Sequence, residues 1–377
     1  MPTLPRQQLD AIATELGFTR WGVTTTEYFT EAAERFKQWI LQGHHADMDF
    51  MLQHSDRADP TALLEGALSM IVVAIPHPRP NAQNTQTIAA YAQGDDYHQV
   101  IKEKLRELAA RIETRVPEAR FRACVDTAPI LEREAAARAG VAFIGKSCMA
   151  IVPGLGSYVL LGSLITTLAL EPDPPARERC GSCKLCLIAC PTGAFVGPRQ
   201  LDAKRCISYL TIENQGPIPR DLRPLIGQHL FGCDICQSVC PFNASKQERA
   251  IEPRLKARAS TQAITATQLL TLTASGYRKL VKGSALARAN RAQLGRNAAV
   301  VLGNTRDPIF TDVLISALGS IYPLIRGHAA WALGQIQTPS ALQALADAEL
   351  HEEDHWVREE LSCAQQKNTS KPLNRLP

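Results

Sequence analysis

The chain has 377 residues, of which 45% are hydrophobic and 21% charged, and its formal net charge is +4 at pH 7. This composition indicates a globular protein of two or three domains and excludes a disordered or collagen-like chain. Because the N-terminus lacks a signal-peptide core and no apolar run reaches the roughly 20 residues of a membrane helix, we expect a cytoplasmic protein.

Residues 1–172 are predicted to form an α+β domain, because strand and helix patterns alternate along them. Short apolar runs rich in branched side chains predict strands at 69–75, 121–125, 149–152 and 157–170. Amphipathic stretches predict helices at 9–16, 29–42, 97–116 and 128–139. The last two strands bracket a Pro-Gly-Leu-Gly sequence at 153–156, which predicts a β-hairpin.

Residues 173–246 follow a proline-rich linker and carry eight of the eleven cysteines. The cysteine at the end of each run is followed by proline, and in two-cluster ferredoxins this residue ligates the other cluster. The spacing therefore predicts a ferredoxin-like module with two [4Fe–4S] clusters. We assign one to Cys180, Cys183, Cys186 and Cys240, and the other to Cys206, Cys233, Cys236 and Cys190.

Structural zinc sites and disulfides are the two alternative uses of these cysteines. Structural zinc sites also use C-x2-C pairs, but they usually combine two separated pairs, whereas the first run here places four cysteines within eleven residues. A disulfide framework is disfavoured in a long chain of a reducing compartment. The three remaining cysteines, Cys124, Cys148 and Cys363, are expected to be small buried hydrophobic residues.

Residues 247–365 are predicted to form helical repeats resembling HEAT repeats, followed by a flexible tail at 366–377. The sequence RNAAVVLG at 296–303 returns as GHAAWALG at 327–334, and a weaker third copy begins near Trp356. Small residues recurring at this period are typical of stacked helix pairs. The H-E-x-x-H match at 351–355 is discounted as a zinc-protease motif, because it falls where a polar turn between helices is expected.

The first part of this region is basic. Six basic and no acidic residues lie between positions 271 and 300, which suits a phosphate backbone, although a solvated helix face is the alternative. We select Lys282, Arg288, Arg291 and Arg296 as candidate contacts to the phosphates of a nucleic acid.

A candidate acid lies in the N-terminal domain. Asp126 follows the strand predicted at 121–125 and precedes a helix, so it is either a helix cap or a carboxyl facing a cavity. In a cavity, desolvation would raise the pKa of Asp126 and let it deliver a proton.

With these features the chain resembles the epoxyqueuosine reductases, which complete queuosine in tRNA anticodons. The resemblance runs from about residue 5 to residue 360. It is carried by SDR at 55–57, GDDYH at 94–98, VDTAP at 125–129, FIGKS at 143–147, RCISYLTIE at 205–213, FGCDICQ at 231–237 and GRNAA at 295–299.

The resemblance implies a cobalamin enzyme related to reductive dehalogenases, with the corrin between the N-terminal domain and the cluster module. The clusters would generate cob(I)alamin, which reduces epoxyqueuosine to queuosine at the wobble position, the last step of tRNA queuosine biosynthesis. Asp126 matches the family's proton donor. The positions implied to approach the corrin are Arg57, Asp126, Ile144, Gly145, Lys146, Ser147, Ser208, Gly232, Cys233, Asp234 and Ile235.

Two positions depart from the family pattern. Ala89 stands where some relatives carry a cysteine near the cobalt, and Ser147 replaces an asparagine. The expected partners are the anticodon stem-loop of tRNA and an electron donor such as a flavodoxin or ferredoxin, and we expect a monomer without membrane attachment.

Two other functions remain open from the residues. One is a reductive dehalogenase-like cobalamin enzyme acting on a small molecule, which would have no use for a basic repeat array. The other is a two-cluster electron-carrier subunit, which would need no acid at position 126.

Overall fold

The computed structural model describes residues 4–52, 56–80, 87–244 and 249–366, and it shows an α+β domain, a cysteine-rich module and a stack of helices. Ser55 of the SDR motif and residues 367–377 of the predicted tail lie outside the described residues. No helix in these ranges is long and apolar enough to cross a membrane.

The N-terminal domain is built on a four-stranded antiparallel sheet in the order β1-β2-β7-β4. Its strands are β1 Trp21–Thr25, β2 Ser69–Pro76, β4 Phe121–Cys124 and β7 Val159–Thr166. The short strands β5 Phe143–Ile144 and β6 Ala150–Ile151 pair with each other beside it. The domain's helices are α1 Arg6–Glu15, α2 Thr30–Leu41, α3 Tyr97–Glu113 and α4 Glu132–Arg138.

Both faces of this sheet are covered, which explains why β2 is a continuous apolar run. Alternate side chains of β2 enter two different cores. Ile71, Val73 and Ile75 pack in the core that contains residues of α1 and α3. Met70 and Val72 pack in the core that contains residues of α2 and α4.

Two predictions for this domain were wrong. The segments around residues 153–156 do not form a hairpin, because β6 pairs with β5 while β7 lies between β2 and β4. Only an isolated bridge joins Val152 to Gly156. The helix predicted from residue 128 begins at Glu132 instead, because the backbone before it turns back and Leu131 donates to the carbonyl of Arg57 at 3.0 Å.

The cysteine-rich module has little regular structure beyond short helices and strands. Its helices are α5 Leu185–Ala189, α6 Ile207–Ile212 and α7 Ile235–Ser238, and its strands are β8 Phe195–Gly197, β9 Gln200–Leu201 and β10 His229–Phe231. β10 pairs in parallel with β3 Thr87–Ile88 of the N-terminal domain, so one sheet joins the two regions.

The C-terminal region is all-α, as the repeats predicted. Its helices are α8 Ala259–Gln262, α9 Ala266–Leu270, α10 Ala274–Val281, α11 Arg291–Thr305, α12 Thr311–Ala317, α13 Pro323–Ile336, α14 Pro339–His351 and α15 His355–Gln365. Between α14 and α15, Glu352 pairs with Arg326 at 2.7 Å, so the H-E-x-x-H match spans an interhelix turn, as expected.

The repeated glycines explain the period of about 31 residues. A Cβ added at Gly303 of α11 would lie 2.8 Å from the Cα of Ala332 on α13. A Cβ added at Gly334 of α13 would lie 2.9 Å from the Cα of Ala364 on α15. Equivalent glycines therefore let each helix pack closely on the next.

Replacing Gly303 by valine is expected to destabilise the stack by about 1–3 kcal/mol, because the new side chain overpacks a backbone contact. The matched control is Gly319→Val, since a Cβ at Gly319 meets only the carbonyl of Ser316 at 3.5 Å. Urea denaturation monitored by circular dichroism compares the two variants. Equal stability of both would contradict the close-packing role of Gly303.

Candidate active site

Asp126 lies at the carboxyl end of β4 in a left-handed backbone conformation, with a φ of 53°. This conformation is uncommon for a residue other than glycine and is retained only where neighbouring contacts hold it. About 60% of its side chain is exposed. The carboxylate is therefore open to solvent, and α4 has no side-chain cap, so Asp126 is not the cap of that helix. We call the region between this carboxylate and the turn at Gly232 the cleft.

Two side chains from the start of α3 hold the Asp126 carboxylate. The hydroxyl of Tyr97 donates to Oδ2 at 2.7 Å, and Nε2 of His98 lies 3.1 Å from the same oxygen. The other ring nitrogen of His98 lies 2.7 Å from Oδ1 of Asp96, whose side chain also caps α3. An Asp–His–Asp chain therefore ends at Asp126.

The pKa of Asp126 is shifted in the direction opposite to our expectation. Although the side chain of Asp126 is partly exposed, desolvation by the groups around it raises its pKa. The hydrogen bonds from His98 and Tyr97 and the charges of His98 and Arg288 outweigh this effect, so the pKa is lowered. Burial lowers the pKa of His98, but its hydrogen bonds and charge interactions with Asp126 and Asp96 raise it to about 9. At neutral pH the pair is a carboxylate and an imidazolium, and the mobile proton lies on His98.

Glu132 holds the backbone of Asp126. Its Oε1 accepts the backbone N–H of Asp126 at 2.9 Å. Burial raises the pKa of Glu132 to about 8, and the nearby Asp126 charge adds to this effect. The contact explains how a non-glycine residue keeps a positive φ at this position.

Arg57 is close enough for the Asp126 charge to affect its pKa, which burial lowers. One end of its guanidinium donates to the carbonyl of Phe50 at 3.0 Å. Its buried Nε has no hydrogen-bond partner within the described residues. A buried donor of this kind fits a site that is completed by a bound polar group.

The opposite wall of the cleft comes from the cysteine-rich module. Gly232 has a φ of 71°, and a Cβ there would lie 2.6 Å from the Cβ of Ala89 and 3.8 Å from the ring of Tyr91. Asp234 accepts the backbone N–H of Ala90 at 2.8 Å. The rings of Tyr91 and Tyr97 meet edge to face at 5.8 Å, so aromatic packing connects this wall to the Asp126 side.

The assignment of the eight cysteines to two clusters stays a prediction. Their electrostatic effects on one another follow it except at Cys236, whose pKa is raised by burial, by Cys233 and Cys206, and also by Cys186 of the other group. Burial raises the pKa of Cys186, and the charges of Cys180 and Cys240 add to this effect. Burial also raises the pKa of Cys240, to which Cys180 and Cys183 add. Cys206 is coupled in the same way to Cys190, and Cys233 to both. Among the described residues, no group of three or more His, Cys, Asp or Glu side chains is arranged to hold a single metal ion.

The two groups differ in depth. Gly181, Ser182 and Lys184, which flank the first group, are exposed. Ile207, next to Cys206, is buried, and Asp234 and Gln237, next to Cys233 and Cys236, are each 8% exposed. The second group is therefore the inner one, and Gly232 joins it directly to the Asp126 cleft.

The other predicted corrin contacts are spread over two turns. Ser208 lies on α6, two residues after Cys206, and Cys233 and Ile235 follow Gly232. In the turn at 144–147, Ile144 is half-buried, Gly145 packs against Ile151, and Ser147 is 7% exposed. The ammonium of Lys146 donates to the carbonyls of Gly181 at 2.5 Å and Cys183 at 3.0 Å, so its charge is committed to the outer cysteine loop.

The assignment of Arg296 to tRNA was wrong. Its side chain is fully buried, and its guanidinium donates to the carbonyls of Asn214 and Gly216 at 2.7 Å and Leu210 at 2.8 Å. These bonds fasten α11 to the loop after α6. The guanidinium therefore satisfies buried carbonyls and cannot reach a phosphate.

The three other basic candidates are at least partly exposed. Lys282 is exposed at the end of α10. Arg291 donates to the carbonyl of Leu272 at 2.6 Å and lies over Tyr322. Arg288 binds Glu213 through two nitrogens, lies over Phe50 and lowers the pKa of Asp126, so it stands at the mouth of the cleft.

Tyr97, His98 and Glu132 were not predicted as site residues. The first two belong to the GDDYH motif, where a histidine and a tyrosine directly after an acidic helix cap were the available signal. Glu132 gave no signal, because a glutamate in the first turn of a helix is common.

Three family models match consecutive parts of the chain. Residues 57–127 match the model described as epoxyqueuosine reductase QueG, residues 179–243 a 4Fe-4S double cluster binding domain, and residues 283–363 HEAT repeats. Epoxyqueuosine reductase of Escherichia coli is 36% identical over 93% of this chain and 94% of its own length. The chain belongs to the epoxyqueuosine reductase family. Its Pseudomonas aeruginosa relative is 39% identical, over 85% of this chain and 91% of that one.

Solved structures of epoxyqueuosine reductases agree with this assignment. One with an epoxyqueuosine-modified tRNA stem-loop has a TM-score of 0.89 at 32% identity, covering 96% of this chain and 97% of that one. One from Bacillus subtilis, with an aspartate-bearing catalytic loop swung out of the active site, has a TM-score of 0.87 at 31% identity, covering 96% and 98%. The predicted family, fold class and pair of [4Fe–4S] clusters are confirmed.

Replacing His98 by glutamine is expected to destabilise the protein more near pH 7 than near pH 10. Histidine titrates at about 6.5 when unfolded and at about 9 here. Its raised pKa therefore adds stability that is complete below about pH 6.5 and is lost as the pH rises through about 9. Denaturant unfolding at several pH values measures the difference.

The control is His351→Gln, because His351 is exposed at the end of α14. This variant should differ little from the unmodified protein at every pH. An equal loss of stability for His98→Gln at both pH values would show that His98 carries no extra proton in the folded protein.

Proposed function

We propose that this protein reduces epoxyqueuosine to queuosine at the wobble position of tRNA anticodons, the last step of tRNA queuosine biosynthesis. The observation that carries the proposal is the Asp126–His98 pair, whose exposed carboxylate is connected through Tyr97 and Tyr91 to the Gly232 turn beside Cys233. One cleft thus offers a proton donor on one wall and an electron source on the other, and the family assignment supplies the substrate.

Within this proposal Asp126 delivers the proton and His98 stores it. Because Asp126 is a carboxylate at neutral pH, it must receive a proton from His98 before it gives one to the departing epoxide oxygen. The two groups share a hydrogen bond, so they titrate as a pair. Tyr97 donates to the same carboxylate oxygen and orients it.

The cleft also suits the cobalamin that the resemblance implies. The unpartnered Nε of Arg57 on one wall and the close turn at Gly232 on the other offer a polar contact and room for a flat group to approach. Ala89, beside Gly232, offers no thiolate to the cobalt. When bound, cobalamin in its reduced state supplies a strong nucleophile for the epoxide carbon.

The proposed division of labour follows the three regions of the chain. Residues 1–172 would hold the corrin and the proton donor, and residues 173–246 would pass electrons from the outer to the inner cluster. Residues 247–365 would hold the tRNA stem-loop, and we propose a low-potential ferredoxin or flavodoxin as electron donor. The target base must leave the anticodon stack to enter the cleft.

Replacing Asp126 by asparagine is expected to abolish most turnover, with a loss of about 10²–10⁴-fold, because the amide cannot transfer the proton. Iron, sulfide and cobalamin contents should not change. The assay follows conversion of an epoxyqueuosine stem-loop by mass spectrometry, with dithionite and a viologen dye as reductant. Asp221→Asn, at an exposed aspartate of the cluster module, is the control.

Full turnover by Asp126→Asn would remove this residue from the chemistry. Absence of turnover by the unmodified, fully loaded protein on the modified stem-loop would contradict the proposed function itself.

Replacing Lys282 by glutamate is expected to weaken stem-loop binding and to reduce the slope of log affinity against log salt by about one. The reason is the loss of one lysine–phosphate contact. Lys37→Glu is the control, because Lys37 is an exposed lysine of α2 and its reversal changes the net charge equally. Fluorescence anisotropy measures stem-loop affinity for both variants over a range of salt concentrations. Identical slopes for the two variants would show that Lys282 makes no phosphate contact.

A further inference from the structure

The cluster module exposes an unusual share of large apolar side chains. Ile188 is 78% exposed, Val196 51%, Leu185 49% and Val239 36%. Isolated exposed apolar residues are normal, but a group of them next to one another indicates an interaction surface. The positions of these residues on the module therefore decide whether they form an interaction surface.

Three of them lie around the outer cluster. Leu185 and Ile188 are three residues apart on α5 and so share one helix face. That helix contains Cys186 and is flanked by Cys183 and Cys190. Val239 directly precedes Cys240, and α7, which ends at Ser238, packs against α5. The apolar patch therefore lies over the cysteines that we assign to the outer cluster.

The surroundings of this patch are basic. Residues 177–199 contain four basic residues and a single acidic one. The acidic residue, Glu178, is paired with Arg199 at 3.3 Å. Arg177, Arg179 and Lys184 are exposed. An apolar centre with a charged rim is the usual composition of a protein interface.

We propose that α5 and Val239, with Arg177, Arg179 and Lys184 around them, form the docking face for an acidic one-electron carrier protein. This inference rests on the proposed function, which requires an external electron source. One electron leaves the reduced carrier and enters the outer cluster, and no proton or atom is transferred.

Charge selects this occupant over a second copy of the chain. In a two-fold dimer the same face would meet itself and bring the basic rims together, which is unfavourable. An acidic carrier instead complements the rim and is steered towards the apolar centre.

The test uses the fully loaded protein and an acidic plant-type ferredoxin. Calorimetry with oxidised ferredoxin measures binding, and stopped-flow absorbance with reduced ferredoxin measures cluster reduction. Ile188→Glu should weaken binding at least about tenfold, because it places a negative charge at the centre of the face. The double variant Arg179→Glu/Lys184→Glu should slow association at least about tenfold and weaken its dependence on salt.

The matched control is Ile309→Glu, because Ile309 is 76% exposed but lies among the helical repeats. It should bind and be reduced like the unmodified protein. Iron and sulfide are measured in every variant, and the double variant decides the matter if Ile188→Glu loses iron.

Two results would overturn the proposal. One is unchanged ferredoxin binding and cluster reduction in both variants of the docking face, Ile188→Glu and Arg179→Glu/Lys184→Glu. The other is a concentration-dependent dimer of the unmodified protein that Ile188→Glu dissociates, since a second copy would then cover the face. Turnover with dithionite does not need the carrier, so it tests the proposed function separately.

Discussion

The hydrogen bond between His98 and Asp126 is the contact on which the proposed chemistry depends. It joins the start of α3 to the end of β4 and places the His98 imidazole, whose raised pKa of about 9 favours its protonated form, beside the Asp126 carboxylate. Two other carboxyl groups, those of Asp96 and Glu132, support this contact in different ways. Asp96 orients the imidazole through its other nitrogen, while Glu132 holds the backbone of Asp126 in a conformation that it would not keep alone.

A second constraint fixes the position of the inner cluster. Arg296, Asn297 and Gln293 on one face of α11 donate to carbonyls of α6 and of the loop after it. Asn297 also donates to the carbonyl of Leu230, next to the Gly232 turn. Side chains of the repeat region thus satisfy the backbone around Cys206 and Cys233. The helical stack is therefore part of the scaffold of the redox centre as well as a candidate surface for RNA.

Features with a strict spacing could be predicted from the sequence. The cysteine runs predicted the pair of [4Fe–4S] clusters correctly, because ligand spacing in such runs is dictated by cluster geometry. The repeated glycines predicted the helical stack, since only close helix contacts require small residues at that period. β2 was recognisable because a strand covered on both faces is uniformly apolar.

Features that depend on distant partners could not be predicted. The apolar run of β7 does not reveal that it pairs with β2 and β4. Arginine is usually a surface residue, and the burial of Arg296 is explained only by its hydrogen bonds to carbonyls of α6 and of the loop after it. For Asp126 the sequence predicted a raised pKa from burial alone. The opposite shift comes from His98, whose approach depends on how α3 packs against the sheet.

The most direct test of the central claim is the absorption and metal content of protein produced anaerobically with cobalamin. If paired clusters and a corrin share the site, the protein should carry about eight iron and eight sulfide per chain and show corrin bands beside the cluster absorption. Material that holds zinc in place of iron, or that takes up no cobalamin when its clusters are intact, would contradict it.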